Sequence, residues 1–308
     1  MKVIYPHDSY TPTPCVGTVG YFDGVHSGHR FLIQQLKNLA IATQKPCVVF
    51  TFLHHPLTVI QSNFTPRLLT PLDEKLKLLS SLDVDVCVIL NFDSIMAKLS
   101  ASEFLSDVLA SKYRVESLLV GHNHRFGHNR QEGFSDYKNH GNKIGMEVIL
   151  ADEFVTDTDQ NISSTAIRKA LDAGDVRCAN RILSYPYPIY GTIIEGFKVG
   201  RTIGFPTANI LPNEPQKLIP ASGTYAVQVT VNHMMYKGML NIGTRPTLNN
   251  GSNTSIEVHI LDFDENIYHR NIKIEFVERI RDERKFENLE ELTKQLEEDK
   301  KFTIKHLS

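Results

Sequence analysis

The chain is organised around Val16-Gly17-Thr18-Val19-Gly20-Tyr21-Phe22-Asp23-Gly24-Val25-His26-Ser27-Gly28-His29. A short apolar run with β-branched residues passes through glycines into two histidines three positions apart. The residues that follow, Arg30 to Ala40, carry Leu32, Ile33, Leu36, Leu39 and Ala40 at helical spacing. The stretch reads as buried strand, tight glycine turn, helix. A helix start presents free backbone N–H groups at the positive end of its dipole, which suits phosphate. Glycines let the backbone approach a ligand closely, and two imidazoles at the rim can donate hydrogen bonds to phosphoryl oxygens. On residue chemistry alone three readings stay open: a phosphate site, a structural turn of an α/β fold, and a His-x-x-His zinc pair. No Cys or His cluster elsewhere has the spacing to close such a zinc site.

Working outward, Pro46 to Phe52 reads as a second buried strand, stopped at Leu53-His54-His55-Pro56 by the proline. Thr70-Pro71-Leu72-Asp73-Glu74-Lys75 fits a helix start, with Thr70 as cap, Pro71 at the first helical position and acids in the first turn. Asp85 to Leu90, Glu116 to Val120 and Glu147 to Leu150 give three more strands, and Ser100 and Glu103 stand at capping-box spacing. Strands alternating with helices predict an α/β fold with a parallel sheet. Ligands of such sheets bind at the carboxyl ends of strands, near a switch in strand order. His26, His29, His55 and the loop Gly121 to Arg130 all fall at such ends. That loop joins glycines, imidazoles, Arg125 and Arg130, a composition equally suited to a ligand or to a solvated surface. A second helix start, Ile162-Ser163-Ser164-Thr165-Ala166-Ile167-Arg168, offers hydroxyls and a guanidinium one turn in; it reads as a phosphate site or as a simple N-cap.

At 308 residues the chain is long enough for two domains. Helix–strand alternation stops at Ser184-Tyr185-Pro186-Tyr187-Pro188, so the boundary is expected there, between 1–183 and 184–308. Short β-type runs follow at 189–194, 224–231, 234–242, 255–263 and 271–277, predicting a small antiparallel barrel closed by an amphipathic helix from Asn288. Composition is that of a globular protein, 41% hydrophobic and 22% charged. A net charge of −2 supplies no global field for nucleic acid or an anionic membrane, so neither is expected as a partner and an anionic substrate needs a local site. Cys15, Cys47, Cys87 and Cys178 lack metal or redox spacing and read as small residues in a reducing compartment. With no signal-peptide core at the start and no stretch long enough for a bilayer, the cytoplasm is the expected location. Composition carries no signal for oligomeric state.

Within the second half, Gly196-Phe197-Lys198-Val199-Gly200-Arg201-Thr202-Ile203-Gly204-Phe205-Pro206-Thr207-Ala208-Asn209 stands out. Gly196 and Gly200 suit a flap, Lys198 and Arg201 supply charge for phosphates, and Thr207 and Asn209 put two oxygen ligands on one strand face, suited to Mg²⁺ bound with nucleotide. By periodicity alone Glu257 is a polar residue on an exposed strand face.

Several of these stretches resemble one family. The opening stretch resembles the His-x-Gly-His signature of the nucleotidyltransferase superfamily, and in its longer form the start of the bacterial bifunctional riboflavin kinase/FAD synthetase family. Ile162 to Arg168 is similar to the signature of that family's adenylyltransferase module. Pro206-Thr207-Ala208-Asn209 resembles the riboflavin kinase motif, and Asn241 to Thr247, Glu257 to Asp264 and Arg281 to Phe286 resemble further segments of the same family. The resemblance implies a Rossmann-like nucleotidyltransferase domain followed by a small antiparallel β-barrel riboflavin kinase domain with a C-terminal helix. It implies phosphorylation of riboflavin to FMN and adenylylation of FMN to FAD, both with ATP and Mg²⁺, the second releasing pyrophosphate.

By the same resemblance His26 and His29 stabilise phosphate during adenylyl transfer, where Gly20, Phe22, Asp23, Gly28, Ser164, Thr165 and Arg168 bind ATP. His55, Asn123 and Arg125 would face the flavin there. In the barrel Gly196, Lys198, Gly200 and Arg201 would bind ATP, Thr207 and Asn209 the metal, and Arg281, Glu283, Lys285 and Phe286 the flavin. Glu257 would be the base that takes the ribityl hydroxyl proton. The chain departs from the pattern at Leu53 and Asn123, where many members carry Asp, and at Tyr268-His269, usually Tyr-Gly. Leu53 and Asn123 keep open a kinase with a weak or inactive adenylyltransferase domain. A non-catalytic flavin-binding regulator is the alternative of a different class.

Overall fold

In a computed structural model, residues 1–61, 63–122, 124–128, 131–155, 162–196, 200, 203–244 and 254–307 are described. They divide into two compact units, Met1–Asn161 and Ile162–Ser308. The first contains, in chain order, β1 (Lys2–Ile4), β2 (Cys15–Val19), α1 (Ser27–Thr43), β3 (Cys47–Phe52), α2 (Leu57–Ile60), α3 (Leu72–Ser80), β4 (Val86–Leu90), α4 (Ala101–Glu103), β5 (Val115–Val120), α5 (Phe134–Lys143) and β6 (Glu147–Leu150). A π-helical run, Phe104–Lys112, continues α4.

The strands form one parallel sheet in the order β1-β4-β3-β2-β5-β6. From β2 the chain winds out through β3 to β4, then returns to β5 and β6 on the other side. The switch point therefore lies between β2 and β5, where crevices open at the carboxyl ends of parallel strands. Side-chain alternation gives the sheet two buried faces. Phe50, Leu118 and Tyr137 belong to one core; Val16, Ile33, Leu36 and Leu79 belong to the other. Strand β1 adds an edge that hydropathy does not announce, because three residues are too few for a period.

One expected cap is different. Helix α3 starts at Leu72 with Pro71 at the N-cap, and Thr70 does not cap it. The Thr70 hydroxyl instead accepts from Gly24 N at 2.9 Å and donates to the buried Asp23 carboxylate at 3.2 Å. A buried carboxylate is the stronger competitor for that hydroxyl. The capping box at Ser100 and Glu103 is present as the spacing predicts, with Glu103 N on Ser100 Oγ at 3.2 Å and Ser100 N on Glu103 Oε2 at 2.8 Å.

The second unit contains α6 (Ser164–Asp172), α7 (Val176–Leu183), β7 (Pro188–Ile194), β8 (Ala208–Pro212), β9 (Gly223–Val231), β10 (Met234–Thr244), β11 (Thr254–Ile260), β12 (Asn271–Arg281) and α8 (Leu289–His306). Its strands close into an antiparallel barrel, β10-β11-β8-β7-β12-β9. Alternate residues of β9 and β12, among them Val227, Val229, Ile272, Ile274 and Phe276, fill its interior. Helix α7 packs on β12, where Asn180 Nδ2 donates to the Phe276 carbonyl at 2.8 Å. The packing division thus precedes α6, while the hydropathy break comes at Ser184. Hydropathy registers a change of element type, not a change of packing partner.

Helix α8 is capped by Asn288, whose Oδ1 accepts from Glu291 N at 2.9 Å. It is tied to β12 by Asp299, 1% exposed, which receives Arg281 Nε at 3.0 Å and Nη2 at 2.8 Å. Asp299→Ala would leave a mostly buried guanidinium without its carboxylate. The expected loss is about 3 kcal/mol, seen as a lower urea midpoint at an unchanged slope.

Candidate active sites

The turn from β2 into α1 runs through left-handed backbone at Phe22, Gly24 and Val25, with φ of 52°, 84° and 37°. Only the glycine adopts this without strain, so the turn needs an external restraint. Asp23 supplies it. Its side chain is buried and accepts Leu69 N at 3.0 Å, Thr70 N at 2.9 Å and the Thr70 hydroxyl at 3.2 Å. Asp23, assigned to ATP by resemblance, thus has its carboxylate bonded to the segment leading into α3.

So held, α1 begins with His26 as its N-cap: Nδ1 accepts from His29 N at 3.3 Å. With Nδ1 used as an acceptor, the neutral ring carries its proton on Nε2. The His26 and His29 rings stack at 3.6 Å and 17°, and Phe22 meets His29 edge-on at 5.1 Å. His29 Nδ1 is buried with no hydrogen-bond partner among the described residues. Burial lowers the His26 pKa to about 4, opposed by the Asp23 carboxylate. Burial also holds His29 well below the ordinary histidine range, helped by the nearby His26, Lys75 and His124. Both rings are neutral at pH 7. They offer N–H groups, not cations, beside the free N–H groups of the helix start. Gly28 lies in the first turn of α1, and Gly20 is where a Cβ would come within 2.8 Å of the Phe22 ring.

At the same end of the sheet is a cavity of about 380 Å³, lined by Val19, Tyr21, Phe52, His55, Arg125 and Phe126 among others. Tyr21 meets His55 edge-on at 4.6 Å, and Phe126 stacks on Tyr137 at 3.9 Å. Its size and its apolar walls with a few polar groups are those of a small-molecule site. The structure therefore brings His55 and Arg125 to one cavity, at the switch point that also carries the histidine pair. Asn123 lies outside the described residues. Leu53 packs into the core on the α1 face, and its N–H donates to the Leu90 carbonyl at 3.0 Å.

In the second unit Ser163 caps α6, accepting Ala166 N at 3.2 Å. The N-cap role falls on Ser163, and Ser164 and Thr165 follow in the first turn with Arg168 one turn on. On the barrel, cross-strand register lines up a polar row. Glu257 on β11 faces Asn209 on β8 and Asn241 on β10, Asn241 faces Thr224 on β9, and Thr224 faces Arg281 on β12. Directly opposed residues of antiparallel strands share one face. Thr207 Oγ1 donates to Glu257 Oε2 at 3.3 Å, and Thr224 Oγ1 to Asn241 Oδ1 at 3.4 Å. A Cβ at Gly196 would collide with the Asn209 amide, and one at Gly200 with the Phe205 carbonyl. Thr207 also lines a cavity of about 710 Å³ with Pro206, Val258, Phe263, Asp264 and Tyr268.

Glu257, Thr207, Asn209 and Gly196 are thus brought together, while Lys198 and Arg201 lie outside the described residues. Of the segment assigned to flavin, Arg281 is bonded to Asp299, Glu283 and Lys285 are exposed, and Phe286 lies under the Arg284 guanidinium at 4.5 Å. Among the described residues no group of three His, Cys, Asp or Glu side chains could hold a metal; hydroxyl and amide oxygens beside one carboxylate are the donors present.

Sequence reasoning passed over Lys75, Tyr21 and the Asn241–Thr224 pair. For Lys75 a signal existed: with Leu72, Leu76 and Leu79 it falls on the apolar stripe of α3, an uncommon place for an ammonium.

Two families match the chain. The family described as FAD synthetase matches residues 8–166, and the family described as riboflavin kinase matches residues 183–307. A bifunctional riboflavin kinase/FMN adenylyltransferase of Bacillus subtilis is 38% identical over 297 residues, covering 95% of this chain and 92% of that protein. Its Escherichia coli K12 counterpart is 38% identical over 303 residues, covering 97% and 96%. A solved structure from Streptococcus pneumoniae, described as a macrolide-efflux protein, aligns with a TM-score of 0.90 at 31% identity, covering 98% of this chain and 99% of that one. Among the described residues no helix is long and apolar enough to cross a membrane. Matched along nearly its whole length and in both of its halves, the chain belongs to the bifunctional riboflavin kinase/FMN adenylyltransferase family.

Proposed function

We propose that the chain converts riboflavin to FMN on its barrel and FMN to FAD on its α/β unit, consuming ATP at each step. The observation that carries this reading is that each unit holds its own cluster: a stacked, neutral histidine pair at a helix start in one, and a carboxylate beside a hydroxyl and an amide in the other. In chain terms we assign 1–183 to adenylyl transfer and 184–308 to the kinase, in the cytoplasm.

In the kinase step Glu257 takes the proton of the ribityl hydroxyl. The freed oxygen attacks the γ-phosphorus of ATP as its bond to the ADP oxygen breaks. Thr207 orients the carboxylate through its hydrogen bond. Thr207 and Asn209 are the side chains we assign to Mg²⁺. Their neutral oxygens suit a hard cation, and the ion, when bound, offsets charge on the nucleotide phosphates. Gly196 and Gly200 keep the adjoining backbone close to this cluster.

In the adenylyl step an oxygen of the FMN phosphate attacks the α-phosphorus of ATP, and the bond to pyrophosphate breaks. This chemistry needs positioning and charge stabilisation more than a base. We assign the His26 Nε2–H, the His29 imidazole and the first N–H groups of α1 to phosphoryl oxygens, with Ser164, Thr165 and Arg168 as further phosphate ligands. The cavity at Tyr21 and His55 is assigned to the flavin. Leu53 is partly buried against the core, and its side chain supplies no acid at that position.

Purified protein incubated with riboflavin, ATP and Mg²⁺, followed by chromatography of the flavins, tests the assignment; absence of FMN would refute the kinase and FMN without FAD would refute the transferase. Glu257→Gln is expected to slow FMN formation at least ~10²-fold while FAD still forms from supplied FMN. His29→Ala is expected to do the reverse by a similar ~10² factor. The histidine pair also sets an acid limit. Between pH 6.5 and about 4 the unfolded chain takes up a proton at His26 that the folded chain refuses, so stability falls as pH drops through that window. His26→Asn, which keeps a capping side chain, should flatten that slope by about 1 kcal/mol per pH unit in urea titrations at stepped pH.

A further inference from the structure

Lys75, on α3, is 1% exposed. Its Nζ lies 3.4 Å from Thr51 Oγ1, a long hydrogen bond, and 3.9 Å from the centroid of the Tyr21 ring. No ion pair joins it to a carboxylate among the described residues. A buried ammonium with so few partners is destabilising for the fold. Yet it stands between the two halves of one site. Tyr21 lines the acceptor cavity and meets His55 edge-on, and the Lys75 charge reaches His29.

We propose that Lys75 is a positioning residue for adenylyl transfer, holding the Tyr21 ring as a wall of the acceptor cavity beside the histidine pair. The inference rests on reading this unit as the adenylyl transfer site. The cation–π contact is strong because it is desolvated. Thr51 completes the arrangement: its hydroxyl accepts from Lys75 and donates to the Tyr21 carbonyl at 3.2 Å, so ring and backbone of Tyr21 are both held. The charged groups facing His29 are Lys75 from α3, His26 from the start of α1 and His124 from the segment after β5, and all three lower its pKa. Asp23 is the carboxylate acting on Lys75, with Cys87 of β4 beside it; against them burial lowers the lysine to about 8, so the ammonium is mostly charged at neutral pH.

The test compares Lys75→Met, which keeps length and removes charge, with Lys75→Arg in the full chain. Three readouts are taken: KM for FMN and kcat in FAD formation, the pH profile of that reaction, and riboflavin kinase activity as a control for folding. For Lys75→Met, KM for FMN is expected to rise about tenfold with a smaller change in kcat. The acid limb should move to higher pH, because one of the positive charges facing His29 is gone, and kinase activity should be unchanged. Lys75→Arg should restore the acid limb. An unaltered KM for FMN and an unaltered acid limb in active Lys75→Met would overturn the inference while leaving adenylyl transfer intact. A wild-type protein that makes no FAD would remove the reading beneath it. Should Lys75→Met not fold, Tyr21→Leu decides: a raised KM for FMN supports the clamp, and an unchanged one refutes it.

Discussion

The buried Asp23 carboxylate is the constraint on which the first unit's site depends. A strand must leave the sheet, reverse through three left-handed residues and enter a helix within seven positions, and two of those three residues are not glycine. Hydrogen bonds among Asp23, Gly24, Leu69 and Thr70 hold that path. What they fix is the first turn of α1, and with it the stacking of His26 on His29. A carboxylate placed here also opposes the burial of two nearby basic groups, His26 and Lys75. Backbone geometry and the electrostatics of the site are therefore set by one side chain.

The barrel solves a different problem. Its interior is filled largely by alternating aliphatic residues, and a row of polar side chains crosses five of its strands. Cross-strand register makes this row by aligning Asn209, Glu257, Asn241, Thr224 and Arg281. Each member of the row has a polar neighbour, and the row's last guanidinium is matched by a carboxylate from α8. The C-terminal helix thus does more than cover apolar surface, because it supplies the counter-charge for the mostly buried Arg281 at the end of β12.

Much of this was readable from residue order. The five longer strands of the sheet announce themselves by β-branched runs, and the barrel by short strands between turn signals. The histidine pair follows from the strand–glycine–helix pattern, and Thr207 and Asn209 from a motif whose alternate residues share a strand face. The failures have physical reasons. Strand β1 is too short to show a period. Thr70 satisfies every local rule for a cap, yet a buried carboxylate 47 positions away in sequence takes its hydroxyl. Lys75 stands beside the acids of a helix start, while its place on the apolar stripe of α3 marks it as buried. The polar row of the barrel depends on register, which only pairing reveals.

The packing of α6 has a consequence for how such a chain can be divided. The helix carries the Ser164, Thr165 and Arg168 signature, and the FAD synthetase match reaches residue 166, yet its contacts are with the barrel side of the chain. A gene split at the packing boundary would leave the α/β fold whole but strip it of that signature; a split after the signature would cut into the other unit's helical layer. On the roles proposed for Ser164, Thr165 and Arg168, neither cut separates the two activities cleanly, and the architecture opposes fission of this gene into two independent enzymes.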